Sequence, residues 1–280
     1  MSDHDDFGGI SRDLPRLLGR RRLLGLLAGG AAATLAAACT SGPAGSSSTG
    51  SSSTGSSSTG SSSTGSSSGA SAASGAGAIP AETGGPYPAD GSNGPNVLDD
   101  VGIVRSDIRS SFGSSTTTAQ GVPLRIELTL ADTAGAALPG AAVYVWHCDR
   151  EGRYSLYSRG ATGENYLRGV QAADPAGKVS FTSIFPACYQ GRWPHVHFEV
   201  YRSLADATSS GNAVRTTQLA LPKETCEAVY ATDGYAASVR TLAQVSLASD
   251  MVFRDGWDRQ LATVTGDVTS GFTASLPVVV

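Results

Sequence analysis

Phe185-Pro186-Ala187-Cys188-Tyr189-Gln190-Gly191-Arg192-Trp193-Pro194-His195-Val196-His197-Phe198-Glu199-Val200 is the stretch of this 280-residue chain on which the fold turns. From His195 onward apolar and polar residues alternate, and on an extended strand alternate side chains leave on opposite faces. Val196, Phe198 and Val200 therefore point to a core, while His195, His197 and Glu199 share the other face. The same period of two recurs at Leu124, Ile126, Leu128 and Leu130, which are separated by Arg125, Glu127 and Thr129. Ala142–Trp146, residues 179–181 and residues 261–264 also have strand composition, and residues 132–135 and 174–177 read as turns between them. Short strands with turn residues at these spacings predict an all-β fold, a β-sandwich of mixed strands with a few short helices. The best helical segment is 225–239.

Upstream the texture changes. Gly19-Arg20-Arg21-Arg22-Leu23-Leu24 opens an apolar stretch that runs to residue 38 and is too short and too rich in Gly and Ala to span a bilayer. It reads as a twin-arginine export signal. Leu35-Ala36-Ala37-Ala38-Cys39 resembles a lipobox, which makes Cys39 the expected acylated residue. Four copies of SSSTG follow over residues 46–65, and a repeat with no apolar member can bury nothing, so this is a flexible tether. The chain thus divides into an export signal (1–39), a Ser/Gly/Thr-rich linker (40–78) and a folded domain (79–280). The expected place is the outer face of the cell membrane, as a lipoprotein, or the medium.

Charge excludes some functions. With 20 Lys and Arg against 24 Asp and Glu the formal net charge is −4, and charged residues are only 16% of the chain, so no broad basic surface can neutralise a phosphate backbone. Nucleic acid is not an expected partner. Nothing after residue 80 approaches the ~20 apolar residues of a spanning helix, so membrane contact reduces to a lipid at Cys39. The oligomeric state is open, a homo-oligomer included.

Two imidazoles one strand step apart, such as His195 and His197, can share a metal; hydrogen-bonded histidines on a sheet face are the structural alternative. Only four histidines occur in the chain, and this pair uses two of them. Tyr189 lies six residues before His195 in a loop bounded by Pro and Gly, and Tyr154 follows a predicted strand. A second arrangement takes Glu199 instead of the tyrosines, giving a two-histidine, one-carboxylate set of the cupin or extradiol type. A third reading is a tethered β-sandwich binding module with a relic metal site.

VYVWHCDREGRYSLYS, SFTSIFPACYQGRWPHVHFEVY, TTQLALP and ETGGPYPADG resemble the motifs of the intradiol ring-cleavage dioxygenases, in that family's order and across most of residues 79–220. The tethered layout is similar to the family's secreted branch. The resemblance implies an intradiol dioxygenase-like sandwich holding Fe(III) through Tyr154, Tyr189, His195 and His197. It further implies a catechol-type substrate opened by O2 to a cis,cis-muconic acid, with Tyr189 leaving the metal to act as base. Arg192 matches the arginine that lies over the substrate ring and stabilises negative charge, and Gln218 matches a pocket glutamine. Tyr154 is favoured over nearby Tyr157 by family position, while Tyr87 is a candidate for the pocket mouth. Cys188 and Cys226 are expected to form a disulfide fixing the loop of Tyr189. Cys148 is expected as a buried free thiol and His147 as a structural residue.

Overall fold

The structure, a computed structural model, describes residues 77–280. The export signal, Cys39 and most of the linker lie outside the described residues. Ten regular elements carry the domain: β1 (Pro123–Ala131), β2 (Ala142–Trp146), β3 (Arg168–Ala172), β4 (Lys178–Ile184), β5 (His195–Tyr201), β6 (Arg215–Ala220), α1 (Lys223–Tyr230), α2 (Ala236–Leu242), β7 (Thr263–Asp267) and β8 (Gly271–Val279).

They form two four-stranded sheets, ordered β4-β1-β8-β7 and β3-β2-β5-β6. All neighbouring strands are antiparallel except β1 and β8, which run parallel, so the predicted mixed sandwich is the observed architecture. Alternation decides what lies between the sheets. Leu124, Ile126, Leu128 and Leu130 of β1 meet Val143 and Val145 of β2 and Val196, Phe198 and Val200 of β5 in one buried cluster. The turns at 132–135 and 174–177 form as expected, each with an aspartate accepting backbone N–H bonds and a glycine of positive φ, Gly135 at 84° and Gly177 at 76°.

The second sheet is covered on its far side too. Ala142, Tyr144, Trp146 and Tyr201 pack there against Ala89, Val97, Leu98 and Ile103 of the N-terminal strap and against Tyr154 of the β2–β3 loop. Arg168, 1% exposed, ties these layers together. Its guanidinium donates to the carbonyls of Tyr87, Pro88 and Ser155 and to the hydroxyls of Ser155 and Tyr144.

Three expectations need correction. The helical segment 225–239 is two helices, the first ending at Tyr230 and the second starting at Ala236, with Gly234 at φ 91° in the turn between them, where an α-helix cannot run through. The strand expected at 261–264 begins at Thr263, Leu261 making only an isolated bridge to Ala220. No bridge joins Cys188 and Cys226: both are buried free thiols, like Cys148, and each is directed at a backbone carbonyl, those of Arg192 and Leu221. Among the described residues no helix is long and apolar enough to cross a membrane.

His147 is structural, as expected. Its Nδ1–H donates to the Cys148 carbonyl at 2.8 Å and its Nε2 accepts from Ser183 Oγ at 2.6 Å, stitching the end of β2 to β4.

Two stability predictions follow from this packing. Ile126→Ala, at a fully buried position, should cost about 2–5 kcal/mol in urea unfolding, while Thr129→Ala on the exposed face of the same strand should change it by less than ~0.5 kcal/mol. Burial lowers His147 to about 4. The unfolded chain therefore takes up its proton first, near pH 6.5, and stability is complete above that pH and falls by roughly 3 kcal/mol on acidification to pH 4. His195 and His197 shift the same way, so His147→Gln should be weaker at pH 7.5 yet lose less between pH 7.5 and 5 than the parent.

Candidate metal centre

Strand β5 sends His195 and His197 away from the sandwich core, into the layer beneath the strap. The register sets their company: His197 is opposite Trp146 on β2 and Gln218 on β6. The Trp146 and His197 rings stack at 5.0 Å with an interplanar angle of 6°, which fixes the imidazole plane. The strap closes over them at Gly85, whose φ is 70° and where a Cβ would stand 3.3 Å from His197 Cε1. Only glycine suits both the backbone and the space.

Two loops complete the centre. The β2–β3 loop delivers Tyr154 and the β4–β5 loop delivers Tyr189. Their donor atoms form a chain: Tyr154 Oη lies 3.3 Å from Tyr189 Oη, Tyr189 Oη lies 3.2 Å from His195 Nε2, and His195 Nε2 lies 3.0 Å from His197 Nε2. Tyr154, His195 and His197 are each 2% exposed, whereas Tyr189 is half-buried. All four residues expected as ligands are thus brought together. Tyr157, three residues on, is not among them: its hydroxyl donates to the Asn93 carbonyl and accepts the Ala89 amide. Tyr87 packs its ring on Tyr154 at 5.0 Å.

The donor set fits a cation. His195 Nδ1–H donates to the Trp193 carbonyl, so its Nε2 presents a lone pair to the centre. Two imidazole nitrogens 3.0 Å apart share either a proton or a cation. Burial, reinforced by the charge of Arg192, lowers His195 to about 3 and keeps it neutral, and burial with His195 and Arg192 lowers His197 well below its usual range. Burial pushes the Tyr154 phenol well above its usual value, with Tyr189 adding to the shift. That phenol ionises only beside a strong positive charge. Two neutral imidazoles and two phenol oxygens at these separations are the donor set and spacing of a first-row transition metal, whose bonds to such atoms are about 2 Å long. His197 Nδ1, buried without a hydrogen-bond partner, remains open.

Arg192 is also buried. Its Nε donates to Asp250 Oδ2 at 3.0 Å and its Nη2 to Gln218 Oε1 at 2.5 Å, while Gln218 Nε2 donates to the Thr83 carbonyl at 2.9 Å. Burial alone would raise the Asp250 carboxyl, but Arg192 and the amide of Trp193 outweigh it and hold it below the usual carboxylate range. Sequence reading brought out neither Asp250 nor the stacking role of Trp146. Trp146 was findable, since cross-strand register follows once β2 and β5 are paired; Asp250 is 58 residues from Arg192 and carried no local signal.

Glu199 does not serve the two-histidine, one-carboxylate set. Its carboxyl accepts from Tyr201 Oη at 2.6 Å and Thr216 Oγ1 at 2.9 Å, and among the described residues no three His, Cys, Asp or Glu side chains are grouped to hold a metal.

The chain is similar to known proteins over part of its length. Residues 105–204 match the protein family described as Dioxygenase. A 58-residue stretch is 41% identical to the catechol 1,2-dioxygenase of Pseudomonas sp. (strain EST1001), covering 21% of this chain and 19% of that one. A 70-residue stretch is 33% identical to the chlorocatechol 1,2-dioxygenase of Rhodococcus opacus, covering 25% of this chain and 27% of that one. The chain therefore matches about a fifth to a quarter of the length of these curated relatives. The intradiol ring-cleavage dioxygenase from Tetranychus urticae has the same fold, with a TM-score of 0.54 at 22% identity over 64% of this chain and 87% of that one.

The two neighbouring tyrosines give a direct test of the centre. Tyr154→Phe should weaken metal retention by at least about tenfold, measured as bound metal after dialysis against a chelator. Tyr157→Phe, which removes only contacts to Asn93 and Ala89, should retain the metal.

Proposed function

We propose that the chain is an intradiol ring-cleavage dioxygenase, a reading supported by its match to the Dioxygenase family over residues 105–204 and its similarity to two catechol-cleaving enzymes, and that it cleaves a catechol-type aromatic between its two hydroxylated carbons. Both atoms of O2 enter the product, a cis,cis-muconate-type dicarboxylic acid. The observation that carries the reading is the convergence of Tyr154, Tyr189, His195 and His197 with donor atoms 3.0–3.3 Å apart. These four would hold Fe(III). When bound, ferric iron supplies a Lewis acid that two phenolates keep oxidised and that binds a catecholate through its oxygens.

The remaining chemistry belongs to the chain. His195 and His197 are both neutral imidazoles, so neither has a net proton to lose on binding a metal; the hydrogen held between their Nε2 atoms would pass to the open Nδ1 of His197. Trp146 fixes the orientation of the His197 ring and the Trp193 carbonyl that of His195. Tyr189 is the member of the set that reaches toward solvent, and its Oη is the atom suited to accept a proton from an arriving catechol hydroxyl. Tyr154, sealed beneath Tyr87, stays in place while Tyr189 moves. Arg192 remains charged in a dry site, where a fixed guanidinium stabilises negative charge on the ring more strongly than it could in water. Gln218 anchors one amino group of Arg192 to the strap.

The export signal, the tether and Cys39 support placing this activity outside the cell, with the domain held to the membrane by a lipid or released. Such a setting favours aromatics met in the environment.

The reading is tested by the visible absorption spectrum of the iron-loaded protein, recorded without oxygen before and after adding catechol. A broad tyrosinate-to-iron band that moves to longer wavelength with catechol is the expected result, followed by oxygen uptake on admission of air. A colourless iron-replete protein that ignores catechol would overturn it.

A further inference from the structure

We propose that Asp250, in the segment between α2 and β7, is the positioning residue that orients Arg192 for reaction. The inference rests on the proposed ring-cleavage function and adds to it a residue far from the ligand motifs.

Asp250 is fully buried. Its Oδ2 accepts from Arg192 Nε at 3.0 Å and from the Trp193 amide at 2.7 Å, and its Oδ1 accepts from the amides of Val252 at 2.8 Å and Phe253 at 3.2 Å. An ionised carboxylate offers about four acceptor positions, so every one is used. The guanidinium is a rigid plane, and it is gripped at two of its nitrogens: Nε by Asp250 and Nη2 by Gln218. A plane held at two corners cannot rotate. Nη1 makes no hydrogen bond to the described residues, and the positive charge acts on the phenols of both Tyr154 and Tyr189. Asp250 thus turns a flexible side chain into a fixed charge with one donor edge free for substrate.

The same carboxylate reaches the ligands by a second route. The Trp193 amide that bonds Asp250 belongs to the residue whose carbonyl receives His195 Nδ1–H. One oxygen therefore sets both the arginine and the peptide that holds the first histidine in its tautomer. A buried ion pair is weak evidence for stability, since apolar replacements often serve equally well. Here the pair is placed where orientation counts.

Asp250→Asn in the full chain tests this, scored by iron content, by the anaerobic spectrum with and without catechol, and by turnover. The expected variant keeps its iron and its tyrosinate band, binds catechol within a few-fold of the parent, and turns over about 10–100-fold more slowly. In an Arg192→Ala background the same change should slow turnover far less than it does alone, because the main route from Asp250 runs through the arginine and only its bond to the Trp193 amide is left to lose. Turnover within twofold of the parent in an iron-replete Asp250→Asn protein would overturn the proposal, as would losses that multiply in the double variant. If Asp250→Asn does not fold, Asp250→Glu takes its place, with slow turnover and an intact band supporting the proposal and normal turnover sinking it. If neither folds, Asp250 is a folding residue and the proposal falls. A parent protein that shows no band and no oxygen uptake would instead overturn the ring-cleavage reading itself.

Discussion

Desolvation of the outer face of β5 is the constraint on which the rest depends. His195, His197 and Glu199 point away from the sandwich core, yet each is at most 2% exposed because the strap and the β2–β3 loop cover that face. Water cannot stabilise charge there, so charge exists only where a partner supplies it. The imidazoles stay neutral, the Tyr154 phenol keeps its proton unless a cation arrives, and the charge of Arg192 is balanced by Asp250 beside it. Protonation states that a mechanism would otherwise have to arrange are set in advance by packing.

The sandwich was legible wherever one face of a strand is buried and the other is wet. β1 shows this clearly, and β5 shows it with a difference: its polar face reads like solvent-facing sequence but is interior. β3 and β6 were harder. Arg168 looks like a surface residue in Arg-Gly-Val-Gln-Ala, but its charge is buried against carbonyls contributed by segments more than ten residues away. Gln218 sits in a run of threonines and a leucine whose strand character emerges only from its pairing with β5. Composition favours helix on both sides of Gly234, and the five-residue turn that separates the two helices has only that glycine to mark it.

For the site, spacing alone singled out His195 and His197 as a pair, while the resemblance of the motifs to a known family gathered Tyr154, Tyr189, Arg192 and Gln218 around them. They are local to three motifs, and the motifs meet because β2, β5 and β6 are neighbours. What spacing could not deliver was the long-range partner. Asp250 reaches Arg192 across 58 residues, and an aspartate before Met-Val-Phe has nothing in its surroundings to mark it. The expected Cys188–Cys226 bridge failed for a related reason: proximity in space does not oblige two thiols to bond when each has a carbonyl to meet.

Those thiols have a consequence of their own. Burial raises Cys148 and Cys226 well above the ordinary thiol range and Cys188 to about 11, so the folded domain presents almost no thiolate. Folded, it offers oxidants and disulfides little thiolate to attack. Unfolded, it releases three ordinary cysteines at once, which can pair in three ways, none of them native. In an oxidising setting an opening that outlasts the reaction of a thiol is a loss, and the lifetime of the molecule then depends on how often and for how long it opens.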